Sequence, residues 1–277
     1  MAFDVEHVVG EVRNASDVFL RPRFRSLAAG EIRQKSPGEV VTIADEECEA
    51  HLGAALLAVV PGSVLVGEEA ASQDGSLLEL LAGDDPVWLL DPLDGTSAFA
   101  AGSSDYAVMA ALVVRGETVL SVIHQPEYGR TFVAERGSGA HEFKAGGRRV
   151  ALVPGEPGGR LRGAVMRRFL PPEVAKAVEE NEGRFQSLEP VTKTAGIEYP
   201  AIAAGERDFM LYWRTLPWDH VPGGLLISEA GGKAAHLDGG CYRPAQRREG
   251  LLVASTPELW ERAREELGVN EPASTER

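Results

Sequence analysis

The segment at positions 86–97, PVWLLDPLDGTS, constrains the fold of this chain more than any other. Its apolar run is typical of a buried β-strand, which we expect to end at Asp91. Asp91 and Asp94 lie three residues apart across a turn that Pro92 fixes, so their carboxylates are able to converge on one point. Carboxylate oxygens are ligands that Mg²⁺ prefers. The segment therefore predicts a strand end that holds a divalent cation.

The residues that follow predict a place for a phosphate group. Gly95 has no side chain, so the backbone approaches a ligand closely there. A helix that begins at Thr96 or Ser97 has free N–H groups in its first turn, and such groups bind phosphate. Metal ions beside a phosphate cradle make a phosphoryl-transfer site. The alternative is an ordinary Asp-Pro and Asp-Gly turn followed by a helix cap.

Three further acids have a similar placement. Glu68 follows a predicted strand at 63–67, Asp219 marks the start of a predicted helix, and Asp45 lies in a helix that Thr42 opens. Strand ends and helix N-termini are where α/β folds collect their site residues. Taken singly, these acids are equally explained as a solvated surface pair, a helix cap and a capping box. Taken together, they predict an acidic cluster.

The charge of the chain excludes some functions. Lys and Arg number 28 against 42 Asp and Glu, which gives a net charge of −14. Such a field repels nucleic acids and anionic membranes, so we expect neither as a partner. It also repels an anionic substrate unless bound cations reverse the sign locally.

Other features predict a cytoplasmic location. No stretch approaches the roughly 20 apolar residues that span a bilayer. The first residues carry acids before any base, which is not typical of a secretory signal. Cys48 and Cys241 lie far apart and outside any metal-ligand pattern, which favours reduced thiols.

The order of elements predicts an α+β or α/β fold, because helices alternate with strands in mixed order. The apolar spacing predicts a helix over 3–20, and the polar stretch 30–40 reads as a loop. Residues 144–160 are rich in Gly, Arg and Pro and mark the best candidate boundary. We therefore expect an N-terminal half at 1–145, with most metal ligands, and a C-terminal half at 146–277, with Asp219 and the substrate wall, in one catalytic unit.

These motifs together resemble the inositol monophosphatase superfamily. The matching segments are VTIAD at 41–45 with Lys35 ahead of it, Glu68-Glu69, DPLDGTS at 91–97, GSGA at 137–140, and Trp218-Asp219 with EAGG at 229–232. The resemblance implies a layered αβαβα sandwich of the inositol monophosphatase and fructose-1,6-bisphosphatase type. It also implies a homodimer, two or three Mg²⁺ ions in each site, and inhibition by Li⁺.

The same resemblance implies a role for each matching residue. Glu68, Asp91 and the carbonyl of Leu93 would hold one metal, and Asp91, Asp94 and Asp219 a second. Glu68 would also help to hold a weaker third metal, with Asp45 nearby through water. Thr96 and Asp45 would polarise the attacking water. The backbone of Gly95, Thr96 and Ser97 would bind the phosphate.

The sequence departs from the family pattern in the residues that would recognise the rest of the substrate. Ala98 stands where many members have Asn, and Tyr212 where the animal enzymes have a Glu that touches inositol. We expect Tyr212, Arg214 and His220 to contact the substrate, although Arg214 on a strand also fits a surface ion pair and His220 also fits helix packing.

The expected activity is hydrolysis of an inositol monophosphate-like polyol or sugar phosphate. The alternatives are a cousin acting on 3′-phosphoadenosine 5′-phosphate, fructose 1,6-bisphosphate or histidinol phosphate, or a regulatory binding protein that reuses the fold.

Overall fold

A computed structural model describes residues 4–36, 38–154, 158–191 and 194–269. The chain begins with helix α1 (Val5–Ala15), which continues as a π-helical turn over Ser16–Leu20. A two-stranded antiparallel ribbon follows, formed by β1 (Ile32–Ser36) and β2 (Glu39–Thr42). Helix α2 (Ile43–Val59) starts directly from the ribbon, with Thr42 as its N-cap and Asp45 completing a capping box.

The first sheet has seven strands in sequence order. They are β3 (Val64–Gly67), β4 (Val87–Asp94), β5 (Ala107–Val114), β6 (Glu117–Gln125), β7 (Arg130–Glu135), β8 (Gly139–Phe143) and β9 (Arg149–Ala151). Only the β3–β4 pair is parallel; β4 to β9 form an antiparallel meander. Two short helices leave its strand ends, α3 (Glu68–Gln73) after β3 and α4 (Thr96–Ala100) after β4.

The second sheet has five strands in the order β11-β10-β12-β14-β13. In chain order, this half comprises β10 (Arg162–Val165), α5 (Pro172–Asn181), β11 (Ser187–Pro190), α6 (Ala195–Ala203), β12 (Phe209–Tyr212), α7 (Pro217–Glu229), β13 (Lys233–His236), β14 (Leu251–Ala254) and α8 (Pro257–Leu267). Strands β10, β11 and β12 run parallel, and β14 is antiparallel to β12 and β13.

Helices and sheets stack in five layers. Helices α1 and α2 pack on the outer face of the first sheet, α6 and α7 lie between the sheets, and α5 and α8 cover the second sheet. The central layer shares an apolar core with both sheets: Met109 and Phe132 of one sheet pack with Leu226 of α7 and Val253 of the other. A helix buried between two sheets needs no polar face. The predicted αβαβα sandwich is confirmed.

The structure corrects three expectations. Residues 30–40 were expected as a loop, but they contain most of the β1–β2 ribbon. The predicted boundary at 145 falls between β8 and β9, which pair through His141–Ala151, so the first sheet extends beyond it. The predicted helix at 3–20 changes to π-helical geometry at Ser16.

Candidate active site

The parallel pairing of β3 and β4 brings the first acids together. Gly67 is in register with Leu90, so Glu68 and Asp91 emerge side by side at the same edge of the sheet. Asp91 pairs with Met109 and Asp94 with Ala107, so β4 has one extra residue over this step. Pro92 has no N–H to donate, which is why strands carry proline at such bulges. The bulge turns Asp91 and Asp94, which a regular strand would point to opposite faces, toward one side.

A cavity of about 340 Å³ opens at this edge. Nine of the predicted site residues line it: Glu68, Asp91, Leu93, Asp94, Gly95, Thr96, Ser97, Arg214 and Asp219. Asp219 reaches the cavity from the first turn of α7, where its side chain does not cap the helix. Helix α4 begins at Thr96, as predicted, with Gly95 at φ +93° as its N-cap. The structure therefore brings Glu68 and Asp219, which are distant in sequence, to the predicted phosphate-binding segment that follows Asp91 and Asp94.

Asp45 and Thr96 form a hydrogen-bonded pair beside the cavity. The hydroxyl of Thr96 lies 2.8 Å from Oδ1 of Asp45 and 3.1 Å from the carbonyl oxygen of Leu93. Its single proton is donated to one of these acceptors at a time. The other oxygen of Asp45 accepts from the Thr42 backbone N–H (2.9 Å) and hydroxyl (2.6 Å). The capping box and the link to Thr96 therefore coexist.

The clustered carboxylates resist ionisation. Burial, followed by the charges of Glu68, Asp94 and Asp219, raises the pKa of Asp91 well above its usual range. Burial, followed by the charges of Asp94 and Glu68, does the same for the pKa of Asp219. Burial raises the pKa of Glu68 to about 7 and that of Asp94 to about 6. Without nearby cations, this cluster would hold protons at neutral pH.

The donor set suits a hard divalent cation, because it consists of carboxylate oxygens. As the side chains stand, no three His, Cys, Asp or Glu residues in the described part of the chain are arranged to hold a metal. Two acids face protein partners instead. The Lys35 ammonium lies 3.2 Å from Glu68 and 2.9 Å from Glu69, and Asp94 accepts the Gly196 N–H at 2.5 Å. A cation would have to replace Lys35 at Glu68.

Two of the three predicted substrate contacts, Tyr212 and His220, are buried and do not line the cavity. Tyr212 is 1% exposed, stacks on Tyr199 and donates its hydroxyl to the sulfur of Met210. His220 is equally buried: Nδ1 lies 2.9 Å from the Tyr199 hydroxyl and Nε2 lies 3.0 Å from the Arg214 carbonyl. Because a carbonyl only accepts, Nε2 carries the proton and Tyr199 donates to Nδ1. Neither ring has a polar atom left for a substrate.

Arg214 does line the cavity, as predicted. Its guanidinium forms an ion pair with Glu39 of β2, and its Cζ lies 4.7 Å from the ring centre of Phe169. Sequence reasoning missed Glu39, Arg168 and Phe169, which also line the cavity, since nothing in their local patterns suggests a site.

Glu49 was also missed. Its two carboxylate oxygens accept the backbone N–H groups of Glu69 (2.8 Å) and Ala70 (2.9 Å), which fixes the start of α3. Glu49 lies one helical turn after Asp45 in α2, and this spacing is a signal that both acids face the same way.

Comparison with known proteins agrees with this architecture. The model of the inositol monophosphatase family matches residues 5–269. The chain belongs to this family. The fructose-1,6-bisphosphatase/inositol-1-monophosphatase of Thermotoga maritima is 27% identical over 201 residues, 73% of each chain. The Nus factor SuhB of Pseudomonas aeruginosa is 31% identical over 237 residues, 82% of this chain and 83% of that protein.

Solved structures share the fold. A Thermotoga maritima IMPase aligns with a TM-score of 0.76 at 22% identity, over 95% of this chain and 98% of that one. The extragenic suppressor protein suhB of Bartonella henselae gives 0.77 at 24% identity, over 95% and 97%. Among the residues described here, no helix combines the length and the apolar character needed to cross a membrane.

Proposed function

We propose that this family member is a Mg²⁺-dependent phosphomonoesterase that hydrolyses a small phosphorylated metabolite. The observation that carries the proposal is the shared cavity of Glu68, Asp91, Asp94 and Asp219, with the Asp45–Thr96 pair beside it. A chain that merely kept its fold would gain nothing from four acids whose pKa values burial raises. The energetic cost of burying these carboxylates is offset only when cations and a phosphate bind.

Glu68, Asp91, Asp94, Asp219 and the Leu93 carbonyl would hold the metal. When bound, Mg²⁺ would activate a water, stabilise the departing alkoxide and make the cavity attractive to phosphate. Such a role fits the oxygen-only donor set, and it relieves the repulsion between the carboxylates.

The residues of the chain then place and deprotonate the attacking water. A water above α4 donates a proton to the Thr96 hydroxyl oxygen, while Thr96 donates its own proton to Oδ1 of Asp45. Burial raises the pKa of Asp45 to about 6, which is close to the range in which a general base works best. The water oxygen forms the new P–O bond as the ester P–O bond breaks. The leaving oxygen takes up a proton from solvent water, and Asp45 returns its proton to solvent. Gly95, Thr96 and Ser97 orient the phosphate from the start of α4.

A regulatory role is the second candidate, because one relative that is 31% identical is named a Nus factor. A pure binding protein would not need Asp45, Thr96 and the acidic cluster. We therefore propose catalysis first. Lithium inhibition, a homodimer and a cytoplasmic location are further predictions of this reading.

Phosphate release from a panel of phosphomonoesters, with Mg²⁺ and with EDTA, tests the proposal. We expect release with Mg²⁺ and none with EDTA. A second readout does not depend on turnover: Mg²⁺ should raise the melting temperature of the wild type and of Asp84→Asn, an exposed control, but much less that of Asp91→Asn. No release from any ester by a folded protein that binds Mg²⁺ would favour the regulatory candidate.

A further inference from the structure

The cavity has a second half whose chemistry differs from that of the acidic half. The acids and the start of α4 take up the end where a phosphoryl group would bind. Arg168, Phe169 and Arg214 line the same cavity, and we call them the distal wall. A phosphomonoester bound by the acids and α4 would have the distal wall beside its leaving group within the same cavity.

The distal wall is built around one aromatic ring. The guanidinium carbons of Arg168 and Arg214 lie 5.0 Å and 4.7 Å from the centre of the Phe169 ring. Contact with an aromatic face holds a guanidinium in place without consuming its N–H donors. The two arginines come from different segments, one after β10 and one after β12, so the second sheet brings them together.

Arg214 is already engaged with an anion. Its guanidinium forms an ion pair with Glu39, which also lines the cavity, and its side chain is 39% exposed. A planar guanidinium pairs in the same way with a carboxylate or a phosphate. Glu39 therefore occupies the position that an anionic group of a ligand would take.

We propose that the preferred substrate carries a second anionic group on its leaving group, a phosphate or a carboxylate, and that this group takes Arg214 over from Glu39. This inference rests on the proposed phosphatase function. A neutral polyol would leave the Arg214–Glu39 pair intact and would gain little from the distal wall. An anionic leaving group gains a charge-assisted pair inside the cavity, where such pairs are strongest.

Matched substrate pairs test the proposal, each differing by one anionic group. Glycerol 2-phosphate and 2-phosphoglycerate test a carboxylate, and fructose 1-phosphate and fructose 1,6-bisphosphate test a phosphate. The measured quantity is the ratio of kcat/KM for the anionic member over the neutral one. We expect a ratio of about ten or more for at least one pair, because the hydrogen bonds that the anion forms with Arg214 must outweigh the Arg214–Glu39 pair that they replace.

Two variants should move this ratio in opposite directions. Arg214→Gln should lower it about tenfold, because the anion loses its partner. Glu39→Gln should raise it, because the competing carboxylate is gone. Arg243→Gln removes an exposed arginine that pairs with Glu117 on the surface, and it should leave the ratio unchanged. Circular dichroism spectra would verify that all three variants fold.

The possible outcomes distinguish failure of the anionic-substrate inference from failure of the phosphatase proposal. Equal rates for both members of both pairs, or a ratio that Arg214→Gln does not lower, would overturn the inference while leaving the phosphatase proposal standing. Failure to hydrolyse any of the four esters, in the presence of Mg²⁺, would instead refute the proposed function.

Discussion

The turn at Gly95 gives the sharpest test of how this site is built. Its φ of +93° lies in the left-handed region, where a residue with a Cβ is destabilised by about 1–2 kcal/mol of backbone strain. A Cβ placed there would lie 2.3 Å from Cγ2 of Thr194 and 3.0 Å from the carbonyl oxygen of Asp105. Ordinary carbon contacts are near 3.5–4.0 Å, so one neighbour must move by about 1 Å or more.

The expected cost of Gly95→Ala has two parts. The strained backbone contributes about 1–2 kcal/mol and the overpacking a further 1–3 kcal/mol. Gly116→Ala is the matched control, because Gly116 has φ +73° and no atom within 4 Å of a built Cβ. Urea unfolding should therefore show a larger loss for Gly95→Ala, by about 1–3 kcal/mol.

We expect Gly95→Ala to lower the catalytic rate by more than its loss of folding stability alone would cause. Gly95 is the N-cap of α4, so a shift there moves Thr96 away from its 2.8 Å bond to Asp45. A displacement of about 1 Å at a reacting group costs on the order of 10²-fold in rate. Thr194→Ser removes the clashing methyl group and should restore part of both losses in the double variant. If Gly95→Ala lost no more stability than Gly116→Ala and kept its rate, our account of this turn would be refuted.

Three other changes probe separate parts of the molecule. Asp94→Asn should lower turnover about 10²-fold or more, since a metal ligand is lost, while the free energy of unfolding in urea stays equal or rises because a buried charge is removed. Glu49→Gln has one acceptor oxygen for the N–H groups of Glu69 and Ala70, so unfolding should become easier by about 1–2 kcal/mol and the Mg²⁺ needed for half-maximal activity should increase. Burial lowers the pKa of His124 from 6.5 to about 4, so the folded protein favours the neutral ring. The stability that the neutral ring contributes is therefore present above pH 6.5 and is lost as the pH falls to 4, by about 3 kcal/mol in urea unfolding.

Two of these tests have a comparison variant. Glu46→Gln changes an acid near the surface of the same helix as Glu49 and should leave the Mg²⁺ dependence alone. His124→Asn keeps an N–H donor for the Arg130 carbonyl, which lies 3.1 Å from Nδ1, and should lose less stability between pH 6.5 and pH 4. Equal pH profiles for wild type and His124→Asn would contradict the assigned cause. Near-normal turnover by Asp94→Asn would contradict the metal assignment.

The sequence predicted the acidic end of the site because that end is local. Asp91, Asp94 and Thr96 lie within six residues, and their spacing around Pro92 and Gly95 is informative by itself. The layered fold was also predictable from the alternation of apolar strands and amphipathic helices, together with the family motifs. One detail differed: the proline lies in a bulge within β4 rather than in a turn after it.

The distal end was not predictable, because it is assembled from distant segments. Tyr212 sits at the position that family comparison singles out, yet the pleat of β12 points it into the core, where it stacks on Tyr199. His220 follows a site residue in sequence, but its ring is buried against Tyr199 and does not line the cavity. Glu39 was missed because β1 and β2 carry few apolar residues, so the ribbon has no hydrophobic alternation to reveal it.

The β1–β2 ribbon carries two charged side chains that form ion pairs with residues of the cavity. Lys35 on β1 neutralises Glu68 at the acidic end, and Glu39 on β2 neutralises Arg214 at the distal end. Under the two proposals made above, the Lys35 ammonium lies where a metal cation would bind, and the Glu39 carboxylate lies where an anionic group of the substrate would bind. Binding of a metal and of an anionic substrate would displace both side chains, which belong to the same short ribbon. We therefore expect the ribbon to couple binding of the metal at the acids to binding of the substrate at the distal wall. A spectroscopic probe on the ribbon would report on both binding events.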